Sequence, residues 1–181
     1  MPQSEQGALF ENTQVPDEHI GYRGPTACQA VGITYRQLDY WARTGLVEPT
    51  VRTATGSGTQ RLYSFKDILV LKVVKRLLDT GISLQNIRAA VDHLRARGIE
   101  DLAGITLFSD GTTVYECTSP EEIVDLLQGG QGVFGIAIGG TMREMTGQLA
   151  EFPGERVDDG FGSTANAHDE LAQRRRARTA G

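Results

Sequence analysis

No run in this chain approaches the roughly 18 consecutive apolar residues that a membrane-spanning helix needs. Residues 1–19 hold no Lys or Arg, so the basic-then-apolar plan of a secretory signal is missing too. Together these absences point to a cytoplasmic protein with no membrane partner. Cysteine is scarce: Cys28 and Cys117 stand far apart, with no His or Cys at metal-ligand spacing. That argues against a disulfide framework and a zinc site and leaves two plain buried thiols. The histidines His19, His93 and His168 are isolated in sequence from any plausible nucleophile, so no catalytic residue is assigned and the chain is read as a non-enzyme without a cofactor. Gly129-Gly130-Gln131-Gly132 lacks the Lys-Ser/Thr ending of a phosphate-cradling loop and the strand-then-helix context of a dinucleotide fingerprint. A helix end and turn is the better account.

What the chain does have is an uneven distribution of charge. Over 181 residues the formal net charge is -5, and 39% of the residues are hydrophobic, enough to bury a core in one or two small domains. Residues 1–19 carry four acids, residues 20–100 carry twelve Lys/Arg against six acids, and residues 101–181 carry six Lys/Arg against thirteen acids. A basic block between acidic ones suits a polyanionic partner met by one part of the chain only.

Residues 1–21 mix Gln, Glu, Ser, Gly and Pro without apolar period and read as a flexible acidic arm. From Pro153 to residue 181 the composition is similar, ending in Gln-Arg-Arg-Arg-Ala-Arg at 173–178, a basic end that could touch phosphates but reads first as a solvated tail. Between these arms the boundary signals are clear. Thr26 precedes a short helical stretch, Ala27 to Val31, that stops at Gly32. Thr34 opens a second helix with Gln37 at capping-box spacing; it runs to about Thr44 with Leu38, Trp41 and Ala42 as its apolar face. Trp41 is a core anchor on this pattern. Two helices joined by a tight turn make a helix-turn-helix candidate.

Arg52 to Arg61 is a Gly/Ser/Thr loop with basic residues at both ends, flanked by Val51 and Leu62-Tyr63, and reads as a β-ribbon wing. Ser64 then caps a long amphipathic helix ending at Gly81, with Lys72, Lys75 and Arg76 expected on its solvent face. Ser83 opens another helix, with Gly98 at its end. From Ile105 the pattern changes to a hairpin with an Asp-Gly turn, a helix begun by Ser119-Pro120-Glu121-Glu122, a short apolar strand at Val133 to Ile138 and helical potential from Thr141 to Glu151.

These motifs resemble the MerR family of bacterial transcription regulators. The matching residues are Gly32-Ile33-Thr34, Leu38-Asp39-Tyr40-Trp41 with Gly45-Leu46, Arg61-Leu62-Tyr63-Ser64 with Asp67-Ile68, and Gly81-Ile82-Ser83-Leu84 with Ile87-Arg88. The whole chain is similar to an actinobacterial branch of that family. The resemblance implies a winged helix-turn-helix that acts as a homodimer on double-stranded DNA, with the second helix in the major groove and the wing on the flanking backbone. Thr34, Tyr35, Arg36, Tyr40, Arg43, Arg52, Arg61 and Tyr63 are the expected DNA-binding residues. Arg36 is the first choice for a base edge, while Arg43, Arg52 and Arg61 are phosphate anchors and Arg61 occupies the family's wing-arginine position. RNA polymerase at the promoter is a further expected partner.

Two departures limit the carry-over. Many family members have Arg where this chain has Asp39, which either accepts from a cytosine amine or pairs with Arg36 or Arg43. The long dimerisation helix usual in the family is interrupted by Gly98, Gly104 and the β-pattern from Ile105. The expected fold is therefore α+β: a flexible arm at 1–21, a winged helix-turn-helix domain at 22–98, a small α/β dimerisation or effector domain at 99–152, and a flexible tail at 153–181. The expected function is a dimeric, sequence-specific transcription regulator acting on a pseudopalindromic site. An effector- or protein-interaction module tethered to DNA, and a DNA-architectural accessory factor, are the alternatives.

Overall fold

The structure, a computed structural model, describes residues 15–53, 60–128 and 134–157. The arm before residue 15, the wing tip, the Gly129–Gly132 turn and the basic tail end lie outside the described residues. In chain order the elements are β1 (Ile20–Arg23), α1 (Gly24–Val31), α2 (Tyr35–Arg43), β2 (Leu62–Tyr63), α3 (Phe65–Asp79), α4 (Leu84–Ala96), α5 (Ile99–Leu102), β3 (Thr106–Ser109), β4 (Val114–Cys117), α6 (Pro120–Gln128), β5 (Phe134–Ala137), α7 (Ile138–Leu149) and β6 (Glu155–Arg156). The fold is α+β, as the alternation of patterns predicts.

Helix α3 organises the core. Ser64 caps it, accepting from the Asp67 amide at 3.0 Å, while the Asp67 carboxylate accepts from the Ser64 amide at 2.9 Å. Its apolar residues do not keep to one stripe: Ile68, Leu69, Val70, Leu71, Val73, Val74 and Leu77 are all buried. A helix that is apolar nearly all round must be covered on several sides. Here α1, β1, β2 and α4 pack on it from within residues 22–98, and α7 from the segment after residue 100. One hydrophobic cluster accordingly runs from Tyr22 and Trp41 through α3 to Leu107, Ile136, Met145 and Leu149.

The sheets are both antiparallel and three-stranded. One has the order β4-β3-β5, with Leu107 opposite Glu116 and Ile136; its Asp110-Gly111 turn has Gly111 at φ 94°, in the left-handed region open to glycine. The other has the order β2-β1-β6 and joins distant parts of the chain: Tyr22 pairs with Tyr63 on one side and Gly21 with Glu155 on the other.

Several local expectations shift. The first helix starts at Gly24 rather than after Thr26, because β1 runs directly into it and Pro25, with its φ already helical, occupies the first turn. Residues 15–21, read as part of the arm, include β1 strand residues and Val15, which packs on the core. Residues 153–157, read as the start of the tail, include β6, and a Cβ added at Gly154 would collide with Ile20. Lys72 and Arg76, expected on a solvent face, face α7 instead. Arg76 reaches the Thr141 hydroxyl at 2.8 Å and Glu144 at 2.7 Å, and Lys72 lies 3.6 Å from Glu144 and donates to the Ala30 carbonyl at 3.2 Å. The reason is tertiary: periodicity identifies the polar face of α3 but not the helix that later covers it.

Asp67 also holds the segment that leads to the wing, accepting from the Thr50 amide at 2.8 Å and the Thr50 hydroxyl at 2.7 Å. Asp67→Ala is expected to cost about 3 kcal/mol, since it removes a cap and strands buried donors. The shift in the urea unfolding midpoint measures it. A loss below about 1 kcal/mol would show that water replaces the carboxylate at little cost.

Candidate nucleic-acid interface

Helix α2 begins with a full capping box: the Gln37 amide donates to the Thr34 hydroxyl at 3.2 Å, and the Thr34 amide donates to Gln37 Oε1 at 3.0 Å. Leu38, Trp41 and Ala42 face inward, while Thr34, Tyr35, Arg36, Tyr40 and Arg43 are exposed. Tyr35 and Tyr40 present large aromatic side chains on this face, at 59% and 50% exposure. The far end of the helix is also fixed. Gly45, at φ 70°, turns the chain, the Leu46 amide donates to the Trp41 carbonyl at 2.9 Å, and Arg88 of α4 donates to the Thr44 carbonyl at 3.1 Å.

Asp39 sits on the rim of this face and joins α2 to the wing. Its Oδ1 receives Arg61 Nη1 at 2.7 Å and its Oδ2 receives Arg43 Nη2 at 2.8 Å. The hydrogen bond from Arg61 holds the Asp39 carboxyl below the usual aspartate range; some desolvation opposes this, and the nearby Arg43 charge supports it. Pairing with Arg43 was one of the options open from sequence; the bridge to Arg61, 22 residues away, was not foreseen. Arg61 uses one nitrogen for Asp39, and a guanidinium offers five N–H donors, so it keeps donors for a phosphate.

The foot of the wing is a short β-bridge, with Arg52 and Leu62 exchanging backbone hydrogen bonds at 3.2 and 2.8 Å. Arg52 Nε donates to the Gln60 carbonyl at 2.9 Å, and its Nη2 lies 3.8 Å from Glu155 of β6. The same Glu155 accepts from Arg23 Nε at 2.5 Å. A second carboxylate thus links two arginines at the base of the wing.

Of the residues expected to meet DNA, Thr34, Tyr35, Arg36, Tyr40 and Arg43 share the exposed side of α2, and Arg52 and Arg61 stand at the two ends of the wing. Arg36 is exposed and enters no ion pair among the described residues. Tyr63 departs from the expectation. Strand pairing of β2 with β1 turns its ring into the core, where it is fully buried, and burial pushes the phenol up to about 12. Its hydroxyl has no hydrogen-bond partner among the described residues.

Sequence reasoning missed Arg23, Arg88 and Glu155. Arg23 lay inside the basic block, Arg88 was among the matching family residues but had no contact assigned to it, and Glu155 fell in a segment read as tail. Cys28 is half-buried in α1 and Cys117 buried in β4, and burial pushes both thiols up. Among the described residues no group of three His, Cys, Asp or Glu side chains is placed to hold a metal ion, and no helix is long and apolar enough to cross a membrane.

A family model described as "MerR HTH family regulatory protein" matches residues 22–94. The chain is 73% identical over 173 residues to HTH-type transcriptional regulators of Mycobacterium bovis and Mycobacterium tuberculosis, an alignment covering 96% of this chain and 76% of each relative. It is also 29% identical over 83 residues to the HTH-type transcriptional regulator HmrR of Sinorhizobium medicae, covering 45% of this chain and 54% of that one. The mycobacterial likeness thus extends well beyond the helix-turn-helix, into the segment after residue 100.

Because the folded carboxyl of Asp39 titrates below its ordinary value of 3.8, the link between α2 and the wing is fully present above about pH 4 and is lost as pH falls through the depressed value. A carbon NMR titration of the Asp39 carboxyl should give a midpoint below 3.8, moving back up in Arg61→Ala. A midpoint unchanged by Arg61→Ala would remove Arg61 as the main cause.

Proposed function

We propose, for a chain that belongs to the MerR family of helix-turn-helix regulatory proteins, a mode of DNA binding in which α2 reads bases and the wing arginines hold the flanking backbone. The chain is a DNA-binding transcription regulator; the division of labour among its residues is what the geometry supports. One observation carries it: Arg36 stands exposed on α2 and enters no ion pair among the described residues, while Arg43 and Arg61 are tied to each other through Asp39. An unpaired, solvent-facing Arg near the start of a recognition helix can form a bidentate contact with a guanine edge. Arginines restrained by a carboxylate suit phosphates, whose positions depend little on sequence.

The chain acts as a homodimer on a pseudopalindromic promoter site, with half-sites separated by one helical turn or a multiple of it, and with RNA polymerase as a neighbour at the promoter. The support for dimerisation outside the DNA-binding half is that α4 ends at Ala96 and the chain turns at once into α5 and β3, leaving no long helix there to form a coiled coil. The surface that joins two copies is therefore sought in residues 99–152.

Arg36→Ala is expected to lose about 1–3 kcal/mol at the preferred site, with little change on unrelated DNA, thereby relaxing the preference at one position. Arg61→Ala is expected to weaken binding to all duplexes alike and to reduce the salt slope by about one ion. Anisotropy titrations on specific and random duplexes at several salt concentrations separate the two. Equal losses on both duplexes for Arg36→Ala would contradict its reading role.

A further inference from the structure

A cleft of about 520 Å³ lies between the start of α1 and the foot of the wing, walled by Arg23, Gly24, Tyr35, Asp39, Arg61 and Tyr63. Several independent features make it receptive to an anion. Among the described residues no side chain caps the N-terminus of α1, an eight-residue helix, so the positive end of its dipole is unmatched by a side-chain acceptor there. Gly24 keeps this end open: a Cβ there would lie 3.0 Å from the Tyr35 ring and 3.4 Å from Leu38. Tyr63 lines the cleft, and although its ring is buried its hydroxyl has no hydrogen-bond partner among the described residues, a cost that a phosphate oxygen reaching it would remove. Arg23 and Arg61 line the cleft, and ion pairs through Glu155 and Asp39 join them to Arg52 and Arg43, so four cations stand against two carboxylates in this linked group. A net positive charge remains.

We propose that this cleft seats one phosphate of the DNA backbone, with Arg23 as a contact and Glu155 as the positioning residue that aims it. The proposal rests on the DNA-binding reading above and extends it to residues outside the helix-turn-helix and wing. Glu155 takes the Nε side of Arg23, which leaves outer guanidinium hydrogens for the phosphate, and it also approaches Arg52. It reaches them because β6 pairs with β1 at Gly21 and the Val157 amide donates to the His19 carbonyl at 3.0 Å. The segment that follows α7 thereby sets the orientation of a DNA-binding arginine 132 residues earlier in the chain.

The test uses the full chain and a fluorescent duplex of random sequence, titrated at several salt concentrations, with the thermal midpoint measured for every variant. Arg23→Ala should weaken binding about tenfold and lower the salt slope by about one ion. Arg23→Lys keeps the charge but loses the planar fork; it should lose affinity while retaining the slope, an outcome still readable if the alanine variant folds poorly. Glu155→Ala should weaken binding in the parent chain, Glu155→Asp should recover part of the loss, and Glu155→Ala should add nothing in the Arg23→Ala background. A merely structural role for Glu155 would give additive losses, which would overturn the proposal, as would tighter binding by Glu155→Ala or wild-type binding by Arg23→Ala. If Arg61→Ala still weakens binding while Arg23→Ala does not, the cleft is refuted and the DNA-binding reading stands. Absence of duplex binding by the parent chain would refute that reading itself.

Discussion

The DNA-binding half and α7 are arranged around the burial of α3. Its sequence is too apolar for a surface helix, and burying a Leu, Ile or Val side chain is worth about 1.5–3 kcal/mol, so the rest of the chain is drawn over it from several directions. The helix-turn-helix covers one side, while α4 and α7 cover others. Neither half has a complete core without α3, and the cluster that results is continuous from Trp41 to Leu149. Polar links at the edges of this core, Asp67 to Thr50 and Arg76 to Glu144, contribute less energy than the apolar contacts but fix how the pieces are aligned.

On this core the charged groups are arranged in a repeated pattern. Asp39 holds Arg43 and Arg61, and Glu155 holds Arg23 and Arg52. Each carboxylate lowers the net positive charge of the surface, which weakens long-range attraction for DNA, but it also restricts long side chains that would otherwise be ordered only on binding. Freezing such a side chain costs about 0.5–1.5 kcal/mol, comparable with what one exposed charge gains from a phosphate, so restraint before binding offsets the lost charge. Arg36 is outside this scheme and stays exposed and unpaired among the described residues, as suits the base-reading role proposed for it.

Much of the fold was legible because its signals are local. The Thr34/Gln37 and Ser64/Asp67 capping boxes lie three residues apart, the Asp110-Gly111 turn is adjacent in sequence, and Ser119-Pro120 announces a helix start by chemistry alone. The exposed face of α2 followed from the same periodicity that placed Leu38 and Trp41 inside. What escaped depends on partners far along the chain. Glu155 pairs with Arg23 across 132 residues, Arg76 with Glu144 across 68, and Arg88 reaches Thr44 across 44. A short strand such as β6, two residues long, has no periodicity to detect and exists only because β1 offers it an edge. Tyr63 was misplaced for a related reason: strand alternation gives two faces, and only the pairing with Tyr22 decides which one is the core.

The central claim is that the segment after residue 100 and the DNA-binding half form one cooperative unit around α3. Native-state hydrogen exchange on the full chain measures it most directly, because amides released only by global unfolding share one opening free energy. The account predicts that the slowest amides of α3, α7 and the β1 strand converge on the same value and shift together in Leu77→Ala. Amides of α7 that open at a much lower free energy than those of α3, unchanged by Leu77→Ala, would contradict it.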